Sequence, residues 1–234
     1  MIVIIELLGA PGSGKTFLIN QFLEGSSKKQ KFLTREDFSS WVKTRSRSFK
    51  LQCIFFNLPL SISYMVLLIF LRAAVKKPNV AISWIPKAIL NEVLLREFLK
   101  LNSKSVILLD QGSVQRIVCY ILFSYLHRPF FVQYILHLMF LLLSKHKIYV
   151  FIKADISVAT ERVIHRTKDP SISRFDSLQS KDSLKTKISE VTHLFSSLAF
   201  GAIYKTNIVY TYDNTKEHKK HIDVFKKFIS MIIK

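Results

Sequence analysis

Short apolar runs alternate along the chain with longer segments in which apolar residues recur every three or four positions. Short apolar runs indicate buried strands, and the three-to-four spacing indicates helices. The predicted strands are Ile2–Leu8, Phe32–Leu33, Val106–Leu109, Ile148–Ile152 and Ile208–Tyr212. The predicted helices are Lys15–Leu23, Thr34 to about Arg45, Pro86–Leu101, Ser113–Leu126, Pro129–Leu143, Ile156–Arg166, Leu184–Phe200 and Val224–Ile233. The alternation predicts an α/β fold in which helices cover both faces of a mainly parallel sheet.

The length of 234 residues fits one domain, 1–234, with a helical insertion at about 51–101. An apolar fraction of 49% excludes global disorder. The two cysteines, Cys53 and Cys119, lie within apolar runs and exclude a secreted disulfide scaffold. Since no signal-peptide pattern precedes or follows the first strand, we expect a cytoplasmic protein.

The chain is strongly basic, because 35 Lys and Arg residues against 16 Asp and Glu residues give a net charge of +19. Such a charge favours an anionic partner, which is a nucleotide, a nucleic acid or an anionic lipid surface. No recognisable DNA- or RNA-binding module is present, so nucleic acid is disfavoured. A homodimer is left open.

Two uncharged stretches, Ile54–Leu71 and Pro129–Leu143, approach the length of a membrane span. Lys and Arg flank the first stretch on both sides, so the flanks carry no orientation signal. We interpret both stretches as buried core helices. Peripheral contact with the anionic inner face of a membrane is the alternative.

Gly9–Thr16 has the sequence GAPGSGKT, which satisfies every fixed position of the pattern G-x-x-x-x-G-K-[ST]. The segment follows a predicted strand and precedes a predicted helix, as a phosphate-binding loop does. Its glycines let backbone N–H groups turn towards phosphate oxygens, and the helix N-terminus adds a positive dipole end. The predicted nucleotide-binding residues of the loop are Gly9, Ala10, Pro11, Gly12, Ser13, Gly14, Lys15 and Thr16. Lys15 is predicted to reach the β- and γ-phosphates of ATP, and the Thr16 hydroxyl to bind Mg²⁺.

Two carboxylates accompany the strands of the predicted sheet. Asp110 directly follows the apolar run Val106–Leu109 and is a candidate for Mg²⁺ binding or for proton acceptance. Gln111 and Arg116 are weaker candidates. Glu6 lies within the first apolar strand, so it must be paired. It either belongs to the magnesium and acceptor region or makes a structural bond to neighbouring backbone, which we favour slightly.

Arg162 and Arg166 are four residues apart and therefore share one helix face. Arg174 follows in a polar loop at about 167–180. Phosphoryl transfer requires cations at the transferring group and exclusion of water, so Arg162 and Arg166 are candidate catalytic residues. Arg174 is a candidate nucleotide-binding residue on a lid that closes over the nucleotide.

These motifs resemble the P-loop kinases of the thymidylate kinase and nucleoside-monophosphate kinase group. The resemblance rests on GAPGSGKT, on Asp110, on the pattern formed by Asp155, Ala159, Arg162 and Arg166, and on Tyr212-Asp213-Asn214. It implies a P-loop NTPase fold, a three-layer α/β/α sandwich, with ATP and Mg²⁺ as cofactors. Gln111 stands where the group usually has Arg, and no acceptor motif matches in Leu51–Leu101. The chain is also similar to thymidylate-kinase-like proteins of bacterial surface-polysaccharide loci.

The function that the resemblance implies is transfer of the γ-phosphoryl group of ATP to a small acceptor. The acceptor is a nucleoside monophosphate, a sugar or a lipid-linked intermediate. The alternative is a regulatory P-loop ATPase or a membrane-docking nucleotide-binding protein without kinase activity. A GTPase is disfavoured, because Ile152–Asp155 lacks the Asn of the guanine motif.

Overall fold

A computed structural model describes residues 3–25, 32–73, 78–102, 105–112, 114–115, 147–167, 180–203, 209–214 and 218–233. Its strands are β1 (Val3–Leu8), β2 (Phe32–Leu33), β3 (Val106–Leu109), β4 (Lys147–Lys153) and β5 (Val209–Asp213). Its helices are α1 (Lys15–Glu24), α2 (Arg35–Lys43), α3 (Arg47–Phe56), α4 (Leu58–Ala73), α5 (Pro78–Leu101), α6 (Ile156–Thr167), α7 (Lys181–Ile203) and α8 (His218–Ile233).

The strand order is β2-β3-β1-β4-β5. The pairs β1–β3, β2–β3 and β4–β5 are all parallel, and in β1–β3 Val3 aligns with Val106 and Glu6 with Leu109. Parallel strands need crossover connections, which the intervening helices supply. The fold is therefore a three-layer α/β/α sandwich, as the sequence pattern predicted.

The chain divides into two compact units, and the residues of β1 are shared between them. The first comprises residues 1–6 and 28–148, and the second comprises 7–27 and 149–234. In the first unit, α5 packs against α2, α3 and α4, and α2 packs against β3. In the second unit, α1 packs against α8, and α6 packs against α7. Both α7 and α8 also contact β5.

Local sequence signals account for most helix boundaries. Thr34 caps α2, because its hydroxyl accepts from the Asp37 backbone N–H while the Asp37 carboxylate accepts from the Thr34 N–H at 2.7 Å. Thr34 followed three positions later by Asp37 is the sequence pattern of a capping box, and this reciprocal pair confirms that prediction, although α2 ends at Lys43 rather than near Arg45. The five predicted strands are confirmed to within one residue at either end.

The predicted start of α5 at Pro86 is wrong. The helix begins at Pro78 and continues through Pro86 to Leu101. Both prolines suit the first helical position, where no intrahelical N–H bond is needed. A proline inside a helix removes one intrahelical hydrogen bond and its ring crowds the carbonyl four residues earlier, so Pro86 disfavours a helix that nevertheless continues through it.

The interpretation of Ile54–Leu71 as buried core is also wrong. The stretch is divided between α3 and α4 at Asn57, whose side-chain amide donates to the Cys53 carbonyl. Several of its large apolar side chains are exposed, among them Phe55 at 71% and Phe56 at 81%. Among the described residues, no helix combines the length and the apolar character that crossing a bilayer requires.

Two predicted helices lie outside the described residues. They are Pro129–Leu143 and, except for Val114 and Gln115, Ser113–Leu126. Most of the predicted lid at about 167–180 also lies outside the described residues.

Candidate phosphate-binding site

The glycines of GAPGSGKT occupy positions that admit no side chain. Gly12 and Gly14 have φ angles of 77° and 90°, in the left-handed region. A Cβ on Gly12 would lie 2.2 Å from the Ala159 carbonyl oxygen, and one on Gly14 would lie 2.3 Å from the Asn214 amide nitrogen. A Cβ on Gly9 would lie 2.5 Å from a backbone oxygen of β4. The loop is therefore closely held by α6, β4 and Asn214.

Lys15 carries the positive charge of the loop, although its residue is only 8% exposed. Its ammonium donates to the carbonyl oxygens of Gly9 at 2.8 Å and Ala10 at 2.9 Å, and to Ser13 Oγ at 3.2 Å. A buried charge without such partners would be strongly disfavoured. The loop thus holds a desolvated cation at the end of β1, where its attraction for an anion exceeds that of a lysine in water.

Helix α1 adds a second source of positive potential. It begins at Lys15, directly after the loop, and its N-cap is Gly14, which has no capping side chain. No acidic residue lies in its first turn. Because helix N-termini attract anions, this end of α1 favours phosphate. Thr16, the next residue, is exposed, and its side chain carries a hydroxyl oxygen, a group that binds Mg²⁺ in phosphate-binding loops.

Arg162 brings a guanidinium group to the same loop. It lies on α6, and its Nη1 donates to the Gly12 carbonyl oxygen at 3.3 Å. Asp155 starts α6, because its carboxylate accepts from the Ser157 backbone N–H and hydroxyl and from the Val158 N–H. These hydrogen bonds, from the Ser157 hydroxyl first, lower the pKa of Asp155 below its usual value of 3.8. Asp155 thus acts as a helix cap that positions Arg162.

Asn214 supports the loop from the end of β5. It is buried, its side-chain amide donates to the Ser13 carbonyl at 2.7 Å, and its backbone N–H donates to the Lys153 carbonyl at 2.7 Å. Because the last strand thereby fixes one peptide of the loop, the loop geometry is set before any ligand binds. Such preorganisation lowers the cost of binding an anion.

The first unit contains a buried cluster of three charges. Lys147 is the first residue of β4, and its Nζ lies 3.4 Å from Glu6 Oε2 and 2.8 Å from Glu92 Oε2. All three side chains are at most 3% exposed. Glu6 also accepts from the backbone N–H groups of Val114 at 3.0 Å and Gln115 at 3.2 Å. Glu6 therefore makes the structural bond to backbone that we favoured from the sequence.

The cluster shifts the pKa values of two of its members. Burial raises the pKa of Glu6 above its usual 4.5, although Lys147 opposes the shift. Burial lowers the pKa of Lys147, but attraction to Glu92 and Glu6 outweighs it, so the pKa of Lys147 is raised. Lys147 therefore stays charged in the folded protein. One cation held by two buried carboxylates fixes α5, β1 and β4 at this point of the unit.

Glu6 also determines the course of the chain after Asp110. A Cβ on Gly112 would lie 2.1 Å from the Glu6 carboxyl carbon, so the segment after β3 passes directly over this carboxylate. Asp110 itself is buried, and its Oδ1 lies 3.8 Å from a nitrogen of Arg35, the first residue of α2. Asp110, the predicted candidate for Mg²⁺ binding or proton acceptance, is therefore a buried carboxylate beside a guanidinium.

The structure brings some of the predicted residues together. Lys15 and Arg162 meet at the phosphate loop of the second unit, while Asp110 belongs to the first unit. Gln111 is exposed. Arg166 lies on α6 but its side chain is not among those described, and Arg174 and Arg116 lie outside the described residues.

Sequence reasoning missed three residues that organise these sites, namely Arg35, Glu92 and Lys147. It named Asn214 only within the segment Tyr212-Asp213-Asn214 and missed its role at the loop. Lys147 and Glu92 lie 55 positions apart and neither stands in a motif. Arg35 adjoins a capping Thr and resembles an ordinary helix residue. Only Asn214 had a signal, the position directly after the last strand.

The residues of the loop fit a nucleoside triphosphate with Mg²⁺. The positive φ angles of Gly12 and Gly14 let the backbone make its tight turn, Lys15 supplies a buried cation, and Thr16 supplies a hydroxyl oxygen on an exposed residue. In the described part of the chain, no three His, Cys, Asp or Glu side chains are grouped to hold a metal ion. Mg²⁺ commonly uses one or two protein oxygens together with substrate phosphates, which suits this donor set.

Comparison with known proteins supports the fold. No protein-family model matches the chain, and no curated protein matches it. Among solved structures, a shikimate kinase from Bacteroides thetaiotaomicron matches with a TM-score of 0.50 and 13% identity, over 99% of this chain and 98% of that one. A deoxyadenosine kinase from M. mycoides with bound dATP matches with a TM-score of 0.50 and 12% identity, over 97% and 99% respectively. The chain thus shares the fold of these two kinases, and the resemblance to thymidylate kinases in particular stays a prediction.

Proposed function

We propose that the protein is an ATP-dependent phosphotransferase of the P-loop kinase type. The observation that carries the proposal is the complete GAPGSGKT loop, in which buried Lys15 and the guanidinium of Arg162 bind the same short segment. Two cations at one short loop supply positive charge of the kind that stabilises a transferring phosphoryl group. The kinase fold of the structural neighbours agrees with this assignment.

In this proposal the loop binds the phosphates of ATP. Backbone N–H groups of the loop and the N-terminus of α1 donate to phosphate oxygens, and Lys15 neutralises their charge. The Thr16 hydroxyl is a ligand of Mg²⁺, which withdraws charge from the phosphates when it is bound. Asn214 and Asp155 are positioning residues in this proposal. They position the loop and Arg162 respectively.

Arg162 stabilises the charge that develops on the transferring phosphoryl group. Its position depends on α6, which the Asp155 cap starts and which abuts Gly12 through Ala159. Arg166 lies one helical turn further on, and we propose that it assists Arg162. We propose Arg174 as a further nucleotide-binding residue on the predicted lid.

Asp110 is proposed to support Mg²⁺ or to accept the proton of the attacking hydroxyl. The support for this role is the position of Asp110, which directly follows β3 and is buried beside the guanidinium of Arg35. Arg35 is also a cation suited to an anionic acceptor.

The acceptor is proposed to be a nucleoside monophosphate, a sugar or a lipid-linked intermediate. The test offers γ-labelled ATP and Mg²⁺ to the full chain with each acceptor class in parallel. The panel includes deoxyadenosine and shikimate, the compounds that appear in the names of the structural neighbours. Label on one acceptor class supports the proposal and names the substrate.

Release of label as inorganic phosphate alone would contradict the kinase assignment and favour the regulatory ATPase. Tight ATP binding without any turnover would favour a nucleotide-binding docking protein. One experiment distinguishes these results. Kinase activity places the label on the acceptor, hydrolysis places it in inorganic phosphate, and binding without turnover leaves it in ATP.

A further inference from the structure

Helix α4 carries an apolar stripe on its exposed face. Five exposed side chains lie at Leu58, Ile62, Met65, Val66 and Ile69, with exposed fractions from 44% to 53%. At 3.6 residues per turn, these positions fall within an arc of about 100°. Ser61, on another face, is buried, and α4 packs against α5. The helix is thus embedded on one side and apolar on the side that faces water.

Helix α3, which precedes it, repeats this arrangement. Leu51 and Phe55, one turn apart, are 67% and 71% exposed, and Phe56 beside them is 81% exposed. Exposed Arg47 lies one turn before Leu51 on the same face. Isolated exposed apolar residues are ordinary, but eight on two consecutive helices mark a binding surface. We call these eight residues, Leu51, Phe55, Phe56, Leu58, Ile62, Met65, Val66 and Ile69, the α3–α4 surface.

The segment of sequence that carries this surface has charges of one sign, and the nearby Glu97 of α5, which accepts from the Asn57 amide, is paired with Lys100. From Phe38 to Asn91 the sequence contains no Asp or Glu, whereas it contains eight cations: Lys43, Arg45, Arg47, Lys50, Arg72, Lys76, Lys77 and Lys87. Lys43 and Arg47 are exposed. Arg45 stacks over Trp41 and Phe49 and serves the packing of α2 against α3. Among the described side chains of this segment, the exposed Lys43 and Arg47 and the half-buried Lys50 therefore supply positive charge next to the apolar side chains of α3.

We propose that the α3–α4 surface docks on an anionic lipid bilayer, with the apolar side chains inserted at the level of the headgroups and the cations bound to lipid phosphates. An amphipathic helix with a basic border is the usual form of such a surface. Each Lys or Arg near an anionic leaflet adds attraction, and the chain as a whole carries +19. The proposal does not rest on the proposed kinase activity.

The same observations disfavour other occupants. Nucleic acid would use the cations but gain nothing from the aliphatic side chains Ile62, Val66 and Ile69. A second copy of the chain carries the same positive charge on the same surface, so two such faces repel. A transmembrane position would require apolar side chains all around α4, whereas Ser61 and the contact with α5 occupy its other side.

The test measures binding of the full chain to vesicles by co-sedimentation. Vesicles of phosphatidylcholine alone are compared with an equimolar mixture of phosphatidylcholine and phosphatidylglycerol. We expect binding to the anionic vesicles that weakens with added salt, and much weaker binding to the neutral ones. Equal binding to both, or no binding to the anionic vesicles, would overturn the proposal.

Two variants separate the apolar and ionic contributions. The triple variant Leu51→Ser, Phe55→Ser and Ile62→Ser is expected to lose at least about tenfold in vesicle affinity. The double variant Lys43→Gln and Arg47→Gln is expected to lose about tenfold or more on anionic vesicles alone. The matched controls, Met231→Ser and Lys227→Gln, change equally exposed residues of α8 and should bind as the unchanged chain does.

A second measurement looks for a gain of tryptophan quenching, a result that a variant that does not fold would not give. Phe55→Trp should show tryptophan quenching on anionic vesicles that contain brominated phosphatidylcholine, beyond that of the parent chain. Met231→Trp should show no such addition. If Phe55→Trp is not quenched, or if the triple variant instead abolishes a dimer seen by analytical ultracentrifugation, the lipid proposal is wrong.

Discussion

Arg162 donates a hydrogen bond to the carbonyl oxygen of Gly12 at 3.3 Å, across 150 positions of sequence. The approach is close for the whole helix, because any Cβ on Gly12 would lie 2.2 Å from the backbone oxygen of Ala159. Helix α6 and the phosphate loop therefore form one fixed arrangement. A guanidinium group held in this way can stabilise charge on a bound phosphoryl group without being reorganised first.

Replacement of Arg162 by Ala should reduce phosphoryl transfer by about 10²- to 10³-fold, the usual effect of removing a preorganised charge donor. The loss should fall mainly on the transfer rate rather than on ATP affinity, since Lys15 and the loop remain. Steady-state kinetics gives kcat and KM separately, and an ATP titration gives the affinity. Together they show how the loss is divided between the transfer rate and ATP binding.

Arg162→Lys should recover part of the rate, because charge is kept while the planar donor geometry is lost. His165→Ala, an exposed change on the same helix, is the matched control and should leave transfer intact. If Arg162→Ala transfers phosphate at the unchanged rate, the hydrogen bond to Gly12 is structural only.

Asn214→Asp should weaken both ATP binding and stability. The substitution keeps the shape of the side chain but replaces the donor that faces the Ser13 carbonyl with an acceptor. A buried acceptor left without its donor costs about 1–3 kcal/mol in the free energy of unfolding. Urea denaturation and ATP titration measure the two effects.

The control for Asn214 is Asn102→Asp, which breaks the same kind of bond, from side-chain amide to the Phe98 carbonyl, at the end of α5. Asn102→Asp should lower stability without changing ATP affinity. Equal losses of affinity in both variants would show that Asn214 does not act through the loop.

Gly112→Ala should be strongly destabilising. Its Cβ would lie 2.1 Å from the carboxyl carbon of Glu6, which is buried and cannot move away. Overpacking of this kind costs about 1–3 kcal/mol in the free energy of unfolding. Gly25→Ala is the control, because its Cβ would meet only the flexible end of Lys226. Thermal denaturation should show a clear loss for Gly112→Ala alone, and similar melting temperatures would refute the close packing of Glu6.

The raised pKa of Glu6 predicts a pH dependence. The folded protein binds the Glu6 proton more tightly than the unfolded chain, whose pKa is near 4.5. Ionisation of Glu6 therefore costs stability as the pH rises from that value through the higher folded pKa. The free energy of unfolding of the unchanged protein, minus that of Glu6→Gln, should fall as the pH rises over this window. A difference that rises with pH would contradict the burial argument.

Asp155 should show the opposite sign. Its folded pKa is lowered below 3.8, so its contribution is present above that value and is lost as the pH falls through the folded pKa. Asp155→Asn should remove this acid-side dependence. Comparison of Glu6→Gln with Asp155→Asn thus tests two shifts of opposite direction with one denaturation series.

Local signals in the sequence were sufficient for the strands, the phosphate loop and the cap at Thr34. Each depends on residues within about one turn or one strand of each other, so the pattern is visible without the fold. Pro86 was misleading because Pro78 offers an equally suitable helix start eight positions earlier, and sequence alone does not choose between them.

The supporting residues could not be found in this way. Glu6 and Lys147 are 141 positions apart, and nothing near Lys147 distinguishes it from the other basic residues of a chain with a charge of +19. The apolar stretch Ile54–Leu71 was assigned to the core because hydrophobicity reports the tendency to leave water. It does not report whether the partner is the protein interior or another surface.

The central claim is tested most directly by the transfer of label from γ-labelled ATP to an acceptor, measured for the unchanged chain and for Lys15→Ala. Lys181→Ala, an exposed lysine of α7, serves as control. We expect labelled acceptor with the unchanged chain and with Lys181→Ala, and its loss in a Lys15→Ala protein that is still folded by circular dichroism. A folded Lys15→Ala protein that transfers label at the full rate would contradict the assignment of this loop as the site of phosphoryl transfer.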